Sequence, residues 1–310
     1  FLAGQRWFAG KGGEVGETRV SRLVPLDDGE LPPALAVGDH VGPRGTTRYA
    51  LPLAVRWGHI ERTDPQASAV LAPVRRTRRE GALIDAVAER DVVSSLIGQI
   101  HAGGRREAGP DLAVAFVPTA RFASQPLPPI AVVRPAGVEQ TNSTALVDAS
   151  FVLKIYRRLT PGLAPEVEMG RFLTDATDFR NTPHLMGTIE LIEAGRETTT
   201  VAVLHQFVEN QGDAWSHTAA MLDRLAEDAR LGPVGEGGTA APDRAALARI
   251  RQIGRRTAEL HLALASRPDV AAFAPEPVTA ADVEGWTTAL VHNAESMFAE
   301  LARRQPQLPA

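Results

Sequence analysis

The sequence predicts an α+β protein in which a strand-rich part precedes a helical part. Strand-forming segments of β-branched and apolar residues dominate up to about residue 206. After Gly212 the apolar residues recur instead with the spacing of amphipathic helices. This change of periodicity predicts two lobes, with a cleft at their junction near residue 206.

Composition excludes several classes of protein. A length of 310 residues is enough for two compact domains. A composition of 44% hydrophobic and 23% charged residues is too polar for a membrane protein. A net charge of −4 gives no general attraction for nucleic acid or anionic lipid. Cysteine is absent, which excludes disulfides and cysteine nucleophiles and suits a reducing compartment. We therefore expect a cytoplasmic protein that binds neither nucleic acid nor membranes.

The first 104 residues are expected to form a mixed unit. Strands are predicted at 19–26 and 48–57, and apolar residues at helical spacing predict a helix over 81–100. Because aromatic residues make up only 5% of the chain, Trp7 and Phe8 are predicted to be buried anchors of this unit.

Beyond residue 104, further strands and helices are predicted from strand-forming runs and from helical spacing of apolar residues. One short helix is predicted at 165–174, among the strands. Five further strands are predicted at 112–118, 130–137, 144–156, 185–195 and 198–208. Three long helices are predicted at 213–231, 243–266 and 279–305.

Lysine is rare in this chain, so its positions are informative. Of the 33 basic residues only Lys11 and Lys154 are lysine, and all the others are arginine. Lys154 lies in the strand segment FVLKIY, where an unpaired charge is costly to desolvate. We therefore expect Lys154 to have a carboxylate partner and a function. Lys11 follows a glycine in a turn, and its sequence fits a solvated lysine as well as one that reaches a partner or the cleft.

A carboxylate on the next helix is the expected partner of Lys154. Glu168 shares a helical side with Met169, Phe172 and Leu173, which predicts that it projects with the apolar face. Kinases use such a lysine–glutamate pair to hold the lysine against the α- and β-phosphates of a nucleotide. We predict that the charged atoms of Lys154 and Glu168 lie within about 4 Å of each other.

Two flanking segments fit the same chemistry. The polar turn GVEQTNST at 137–144 precedes the lysine strand, and the backbone N–H groups of such a turn can bind phosphate oxygens. A strand that runs into the helical part ends in the position of an adenine-contacting hinge. The candidate nucleotide-binding residues are therefore Gln140, Thr141, Asn142, Ser143, Thr144, Lys154, Glu168, His205, Gln206, Phe207 and Val208.

The sequence gives no support for a dinucleotide-binding, metal-binding or hydrolase motif. Gly235, Gly237 and Ala240 match the letters of a dinucleotide fingerprint, but they lie between two helices and not between a strand and a helix. The eight histidines have no metal-ligand spacing, and no nucleophile elbow of a hydrolase is present. The arginine run at 75–79 is expected to be a solvated face.

Six segments together resemble the maltokinase family, and especially the maltokinase domains fused to bacterial trehalose synthases. They are RWFAGKGG (6–13), EQTNST (139–144), LKIYRRL (153–159), EMGRFL (168–173), FVENQGDAW (207–215) and RRTAELHLALAS (255–266). The resemblance implies an N-terminal cap at 1–104, a protein-kinase-like β-rich N-lobe at 105–206, and the first helices of an α-helical C-lobe at 207–310.

The resemblance also implies an activity. Such an enzyme transfers phosphate from ATP, accompanied by Mg²⁺, to maltose, and the maltose 1-phosphate feeds α-glucan and glycogen synthesis from trehalose. Lys154 would hold the phosphates, Glu168 would orient the lysine, and 205–208 would be the hinge. Trehalose synthase is the partner that the resemblance implies, either fused or in a complex.

The sequence departs from the family at the catalytic elements. The His-Gly-Asp loop that supplies the base and the Asp-Phe-Glu segment that binds magnesium are both missing from the 310 residues, and Asp213 reads as a helix N-cap. We therefore assign no catalytic residue and no metal ligand within the chain. The resemblance leads us to expect a fragment with a truncated C-lobe, whose magnesium ligands lie beyond its C-terminus.

Two alternatives remain open. The chain could be a non-catalytic nucleotide-binding or docking module that acts with trehalose synthase. It could also belong to a related small-molecule kinase with another acceptor, such as an aminoglycoside. Maltose follows from the resemblance alone.

Overall fold

A computed structural model describes residues 1–8, 16–42, 45–61, 64, 67–136, 141–231 and 244–305. These residues form an α+β fold, as predicted, and divide into two compact units, 1–264 and 265–310. The strands are β1 Glu17–Pro25, β2 Ala34–Gly42, β3 Gly45–Trp57, β4 Val70–Arg76, β5 Arg79–Asp85, β6 Gly104–Glu107, β7 Leu112–Pro118, β8 Val133–Pro135, β9 Asn142–Val147, β10 Phe151–Tyr156, β11 Arg158–Leu159, β12 Leu185–Glu193 and β13 Thr199–Gln206. The helices are α1 Arg90–Ala102, α2 Ala120–Ala123, α3 Pro165–Arg171, α4 Ala214–Leu231, α5 Arg244–Leu264 and α6 Ala280–Arg304.

The first antiparallel sheet has the strand order β1-β2-β3-β5-β4, and β11 pairs with β3 from much later in the chain. Trp7 and Phe8 pack against this sheet, each only 7% exposed, which confirms the prediction that they are buried. Their ring centroids lie 5.8 and 5.2 Å from that of Tyr49 on β3. Lys11 lies outside the described residues.

The predicted helix at 81–100 is wrong in its first part. Residues 81–85 belong to β5, which pairs with β3, and α1 begins only at Arg90. A Cβ atom at Gly81 would lie 2.3 Å from the carbonyl oxygen of Arg56, so this close strand pairing requires a glycine. Asp85 then ends the strand by accepting a hydrogen bond from the Val87 N–H.

The arginine run occupies the β4–β5 hairpin, where its side chains are exposed as expected. Thr77 turns the chain with a positive φ of 53°. Arg76 forms an ion pair with Glu30, and the guanidinium of Arg79 lies 4.7 Å above the Trp57 ring. These intramolecular contacts occupy two of the four arginines.

The second sheet has seven antiparallel strands in the order β6-β7-β12-β13-β10-β9-β8. One of its faces packs with α1 and the first sheet around the main hydrophobic core, which includes Leu35, Ile97, Phe116, Leu153 and Leu204. The other face carries α3, through a smaller cluster of Val167, Leu185 and Val203. The second face is therefore the one available for a site.

The strand predicted at 144–156 is two strands joined by a turn. Asp148 adopts a positive φ of 48°, which Asp tolerates better than most residues, and β9 and β10 pair on either side of it. Its carboxylate accepts hydrogen bonds from the backbone N–H groups of Ala131 and Val132, at 3.0 and 2.9 Å, which hold the segment leading into β8.

The three long helices occur where the sequence predicts them. In the unit 265–310, α6 begins with a capping box in which Thr279 and Asp282 satisfy each other's backbone N–H groups. No helix in the described ranges is both long and apolar enough to cross a membrane. Gly235, Gly237 and Ala240 lie outside the described residues, as does Gln140.

Candidate functional site

A cleft of about 1000 Å³ opens on the second face of the seven-stranded sheet. Strand alternation determines which side chains line it, because Ala145 and Leu153 point into the main core while their neighbours point the opposite way. The sheet contributes Thr144, Leu146, Val152, Lys154 and the segment 205–208, whereas α3 and α5 form the remaining walls. Lys154, Thr144 and the predicted hinge are thus brought together on one surface.

Lys154 forms its ion pair with Glu166, so the prediction of Glu168 as its partner is wrong. The Lys154 Nζ donates a hydrogen bond to Glu166 Oε2 at 2.5 Å. Glu166, Gly170 and Leu173 line the cleft, while Glu168 lies about 200° further around the helix axis and is exposed. The spacing argument failed because the side inferred from 168, 169, 172 and 173 spans about 140° around the helix. The cleft faces only the part of that side that Met169 and Leu173 occupy.

Three donors converge on the Glu166 carboxylate. Lys154 Nζ and Tyr156 Oη both donate to Oε2 at 2.5 Å, and His205 Nε2 lies 3.0 Å from Oε1. The hydrogen bond from His205, together with those from Lys154 and Tyr156, lowers the pKa of Glu166 to about 2 against the opposing effect of burial. Burial and the Glu166 carboxylate raise the pKa of the Tyr156 hydroxyl, so it remains a donor. The cluster keeps a negative charge beside the lysine at all ordinary pH values.

The last three residues of the predicted polar turn, 142–144, belong to β9 and are divided between its two faces. Thr144 lines the cleft, and Thr141 is exposed and accepts a hydrogen bond from the Asn142 side chain at 3.3 Å. The Ser143 side chain does not fit its predicted role in phosphate binding, because it is buried on the opposite face and accepts a hydrogen bond from Arg157 Nε at 2.6 Å. In β9 the strand period of two places neighbouring residues on opposite faces. Asn142, Ser143 and Thr144 therefore could not all face one ligand.

The predicted hinge leaves one backbone donor open. The N–H groups of Gln206 and Phe207 donate to the carbonyls of His184 and Ser150, at 2.9 and 2.8 Å. The Val208 N–H has no hydrogen-bond partner within the described ranges, and Val208 lines the cleft. An extended segment with an open N–H beside apolar strand residues can bind the edge of a flat polar ring.

The sequence reasoning missed Glu166, Tyr156 and Arg157. Tyr156 stands two residues after Lys154 on the same strand face, so the period of two could have identified it, and Glu166 lies within the helix that was singled out. Arg157 gave no signal, because arginine is common in this chain. It is 1% exposed and joins Ser143 to Asp85, which lies 2.5 Å from its Nη2 atom.

The magnesium ion that would accompany ATP has no evident ligand set in the part of the chain that the structure describes. No group of three or more His, Asp or Glu side chains there could hold a metal ion. The carboxylate nearest the lysine, Glu166, already accepts hydrogen bonds from three protein donors. The described residues of the cleft therefore do not fit a metal centre.

Comparisons with known proteins show what the chain is similar to. Residues 1–89 match the family model of the Maltokinase N-terminal cap domain. A curated glucosamine kinase from Mycolicibacterium smegmatis is 27% identical over 163 residues, which are 53% of this chain and 36% of that protein.

Solved structures of glucosamine kinase share the fold. One, in complex with glucosamine, ADP and inorganic phosphate, aligns with a TM-score of 0.55 and 19% identity over 99% of this chain and 61% of that chain. Another, in crystal form A, aligns with the same score and identity over 94% of this chain and 56% of that one. The chain therefore resembles a maltokinase cap over residues 1–89, shares the α+β fold of glucosamine kinase structures, and spans less than two thirds of the length of these relatives.

Proposed function

We propose that this chain is the nucleotide-binding part of an ATP-dependent sugar kinase. The observation that carries the proposal is the Lys154–Glu166 ion pair on the wall of the cleft, in a chain whose segment 206–208 lines the same cleft. A lysine fixed by a carboxylate beside a strand-to-helix connection is the arrangement by which kinases hold the phosphates of ATP. The cap match and the likeness to glucosamine kinases support the same class of reaction.

Each group has a defined part in binding. The Val208 N–H would donate to the edge of the adenine ring, and Leu146 and Val152 would cover one of its faces. Lys154 would neutralise charge on the α- and β-phosphates, since an ammonium group binds phosphate oxygens as a point charge. Glu166 would hold the lysine in place without itself touching the nucleotide.

Maltose is the acceptor that we propose, with maltose 1-phosphate as the product. It is supported by the cap match over residues 1–89 and by the resemblance of the six segments named above to maltokinases. The same resemblance favours α-glucan synthesis as the pathway and trehalose synthase as a partner. Glucosamine is the second candidate, because the curated relative that aligns over 53% of the chain is a glucosamine kinase.

Calorimetric titration of residues 1–310 with ADP tests the nucleotide site. We expect Lys154→Ala to weaken ADP binding by about tenfold or more, the loss typical of a charge-assisted hydrogen bond. Arg75→Ala is the control, because Arg75 is an exposed cation on β4 of the first sheet and should leave the affinity unchanged. Equal affinities for wild type and Lys154→Ala would contradict the proposed site.

A further inference from the structure

The carboxylate of Glu166 is held at both of its oxygens by side chains other than the lysine. Tyr156 Oη donates to Oε2 at 2.5 Å, the oxygen that also binds Lys154, while His205 Nε2 is 3.0 Å from Oε1. The groups come from three elements, α3 for the carboxylate, β10 for the tyrosine and lysine, and β13 for the histidine. A lysine–glutamate pair alone would leave Oε1 unoccupied.

The geometry fixes the hydrogen-bonding role of His205. An ionised carboxylate can only accept, so the proton of this bond is on His205 Nε2. The other ring nitrogen, Nδ1, is buried and has no hydrogen-bond partner within the described ranges. The bond to Glu166 is thus the hydrogen bond that the structure gives this ring, and His205 makes it as a donor through Nε2.

Both oxygens must be held if the lysine is to be held. With only Oε2 bound, the carboxylate can rotate about the bond to its methylene group, and the Lys154 ammonium follows it. With Oε1 bound to His205, this rotation breaks a hydrogen bond. Tyr156 limits the lysine further, because the Lys154 ammonium lies 5.1 Å from the centre of the Tyr156 ring. The ring and hydroxyl of one tyrosine thus contact both members of the pair.

We propose that His205 and Tyr156 are positioning residues that act through Glu166 to fix Lys154 for binding the phosphates of a nucleotide. This inference rests on the proposed function, because it assigns a role in a nucleotide site. It predicts that the two residues contribute to the affinity for phosphate groups and do not contribute to the affinity for the nucleoside.

Three variants separate the contributions. His205→Leu removes the donor to Oε1, whereas His205→Gln keeps an N–H group at about the position of Nε2. Tyr156→Phe keeps the ring beside Lys154 and removes only the hydroxyl. We expect His205→Leu and Tyr156→Phe to weaken ADP binding by about three- to tenfold, the worth of one hydrogen bond, and His205→Gln to recover most of the affinity.

Adenosine is the control ligand, because it lacks the phosphates that Lys154 would bind. We expect all three variants to bind adenosine as tightly as wild type, whereas distortion of the whole cleft would weaken both ligands together. Long-range ¹H–¹⁵N NMR of the imidazole rings, with the His205 signal identified by its loss in His205→Gln, should show a proton on Nε2. If His205→Leu does not fold, the affinities of Tyr156→Phe for ADP and adenosine give the same comparison, because this substitution changes the side-chain volume little.

The outcomes distinguish this inference from the proposed function. If wild type binds no ADP, or if Lys154→Ala binds it as wild type does, the proposed function fails and this inference fails with it. If ADP binding depends on Lys154 but His205→Leu and Tyr156→Phe bind ADP like wild type, only the inference is overturned. An equal loss for ADP and adenosine, or a His205 Nε2 that carries no proton, also overturns it.

Discussion

The ionised carboxylate of Glu166 is stabilised in the folded chain by hydrogen bonds to its two oxygen atoms. The hydrogen bond from His205, followed by those from Lys154 and Tyr156, lowers its pKa from the ordinary value of 4.5 to about 2. A group whose pKa is lower in the folded state than in the unfolded state stabilises the fold when it is ionised. The proposed nucleotide site and the stability of the fold are therefore linked through one side chain.

This linkage predicts how stability depends on pH. The contribution of Glu166 is fully present above the unfolded pKa near 4.5 and is lost as the pH falls towards about 2. We expect Glu166→Gln to be less stable than wild type at pH 7, with the difference in the free energy of unfolding shrinking between pH 5 and pH 3. Denaturant unfolding at several pH values measures this difference.

Glu168→Gln is the matched control for that experiment, because Glu168 is on the same helix and exposed. Its stability should stay close to that of wild type throughout. A difference between Glu166→Gln and wild type that stays constant from pH 7 to pH 3 would contradict the assignment of Glu166 as the stabilised carboxylate.

At the same scale, the sequence identified the lysine but not its partner. Lys154 could be found because a charge in the strand FVLKIY is conspicuous in a chain with two lysines. The partner was misplaced by two residues, because the inferred side spans about 140° around the helix and Glu168 lies at its end away from the cleft. The prediction that Ser143 binds phosphate was wrong because it treated 137–144 as a turn with one polar surface. Ser143 lies in a strand, whose residues alternate between two faces.

At the scale of elements, Arg157 joins the two sheets. It follows β10, and its guanidinium contacts Asp85 at the end of β5, Ser143 on β9 and the ring of Trp7. Its carbonyl accepts the Ala50 N–H of β3 at 2.8 Å, and β11 begins at the next residue. Burial raises the pKa of Asp85 although the Arg157 guanidinium opposes the shift, so the arginine is the main compensation for a buried acid.

Removing this arginine is predicted to be strongly destabilising. Arg157→Met leaves Asp85 as a buried carboxyl without its cation, a change that typically costs about 3–5 kcal/mol of unfolding free energy. Arg158→Met, at the adjacent exposed position, should change the stability little. Chemical denaturation of the two variants gives both values. A loss below about 1 kcal/mol for Arg157→Met would contradict the bridging role, because surface ion pairs contribute no more than that.

The strand pairing itself was only partly predictable. Runs of apolar and β-branched residues located β7, β12 and β13, whose burial patterns are nearly continuous. The hairpin at Asp148 and the crossover of β11 to the first sheet depend on single backbone dihedrals and on contacts over more than a hundred residues. A local pattern does not encode such contacts, and the apolar residues of 81–85 fit a strand as well as a helix.

At the scale of the whole molecule, the two sheets differ in their place along the chain and are joined by a side-chain contact. The first sheet lies within the segment that matches a maltokinase cap, apart from β11, and the second sheet carries the cleft. The two sheets are also joined by a bidentate contact between Arg48 and Glu193, at 2.6 and 3.0 Å. The boundaries 1–104, 105–206 and 207–310 stay a prediction, as does the acceptor sugar.

The central claim is that the protein phosphorylates a sugar with ATP, and sugar-dependent formation of ADP by the intact gene product tests it most directly. Maltose, glucosamine and an aminoglycoside are each offered, and ³¹P NMR identifies the phosphorylated product. We predict ADP formation with maltose, a maltose 1-phosphate signal, a large loss of turnover in Lys154→Ala and little change in Arg75→Ala. Turnover with glucosamine alone would support the kinase activity and show that glucosamine, and not maltose, is the acceptor. Binding of ADP without turnover on any sugar would contradict the claim and favour a non-catalytic nucleotide-binding module.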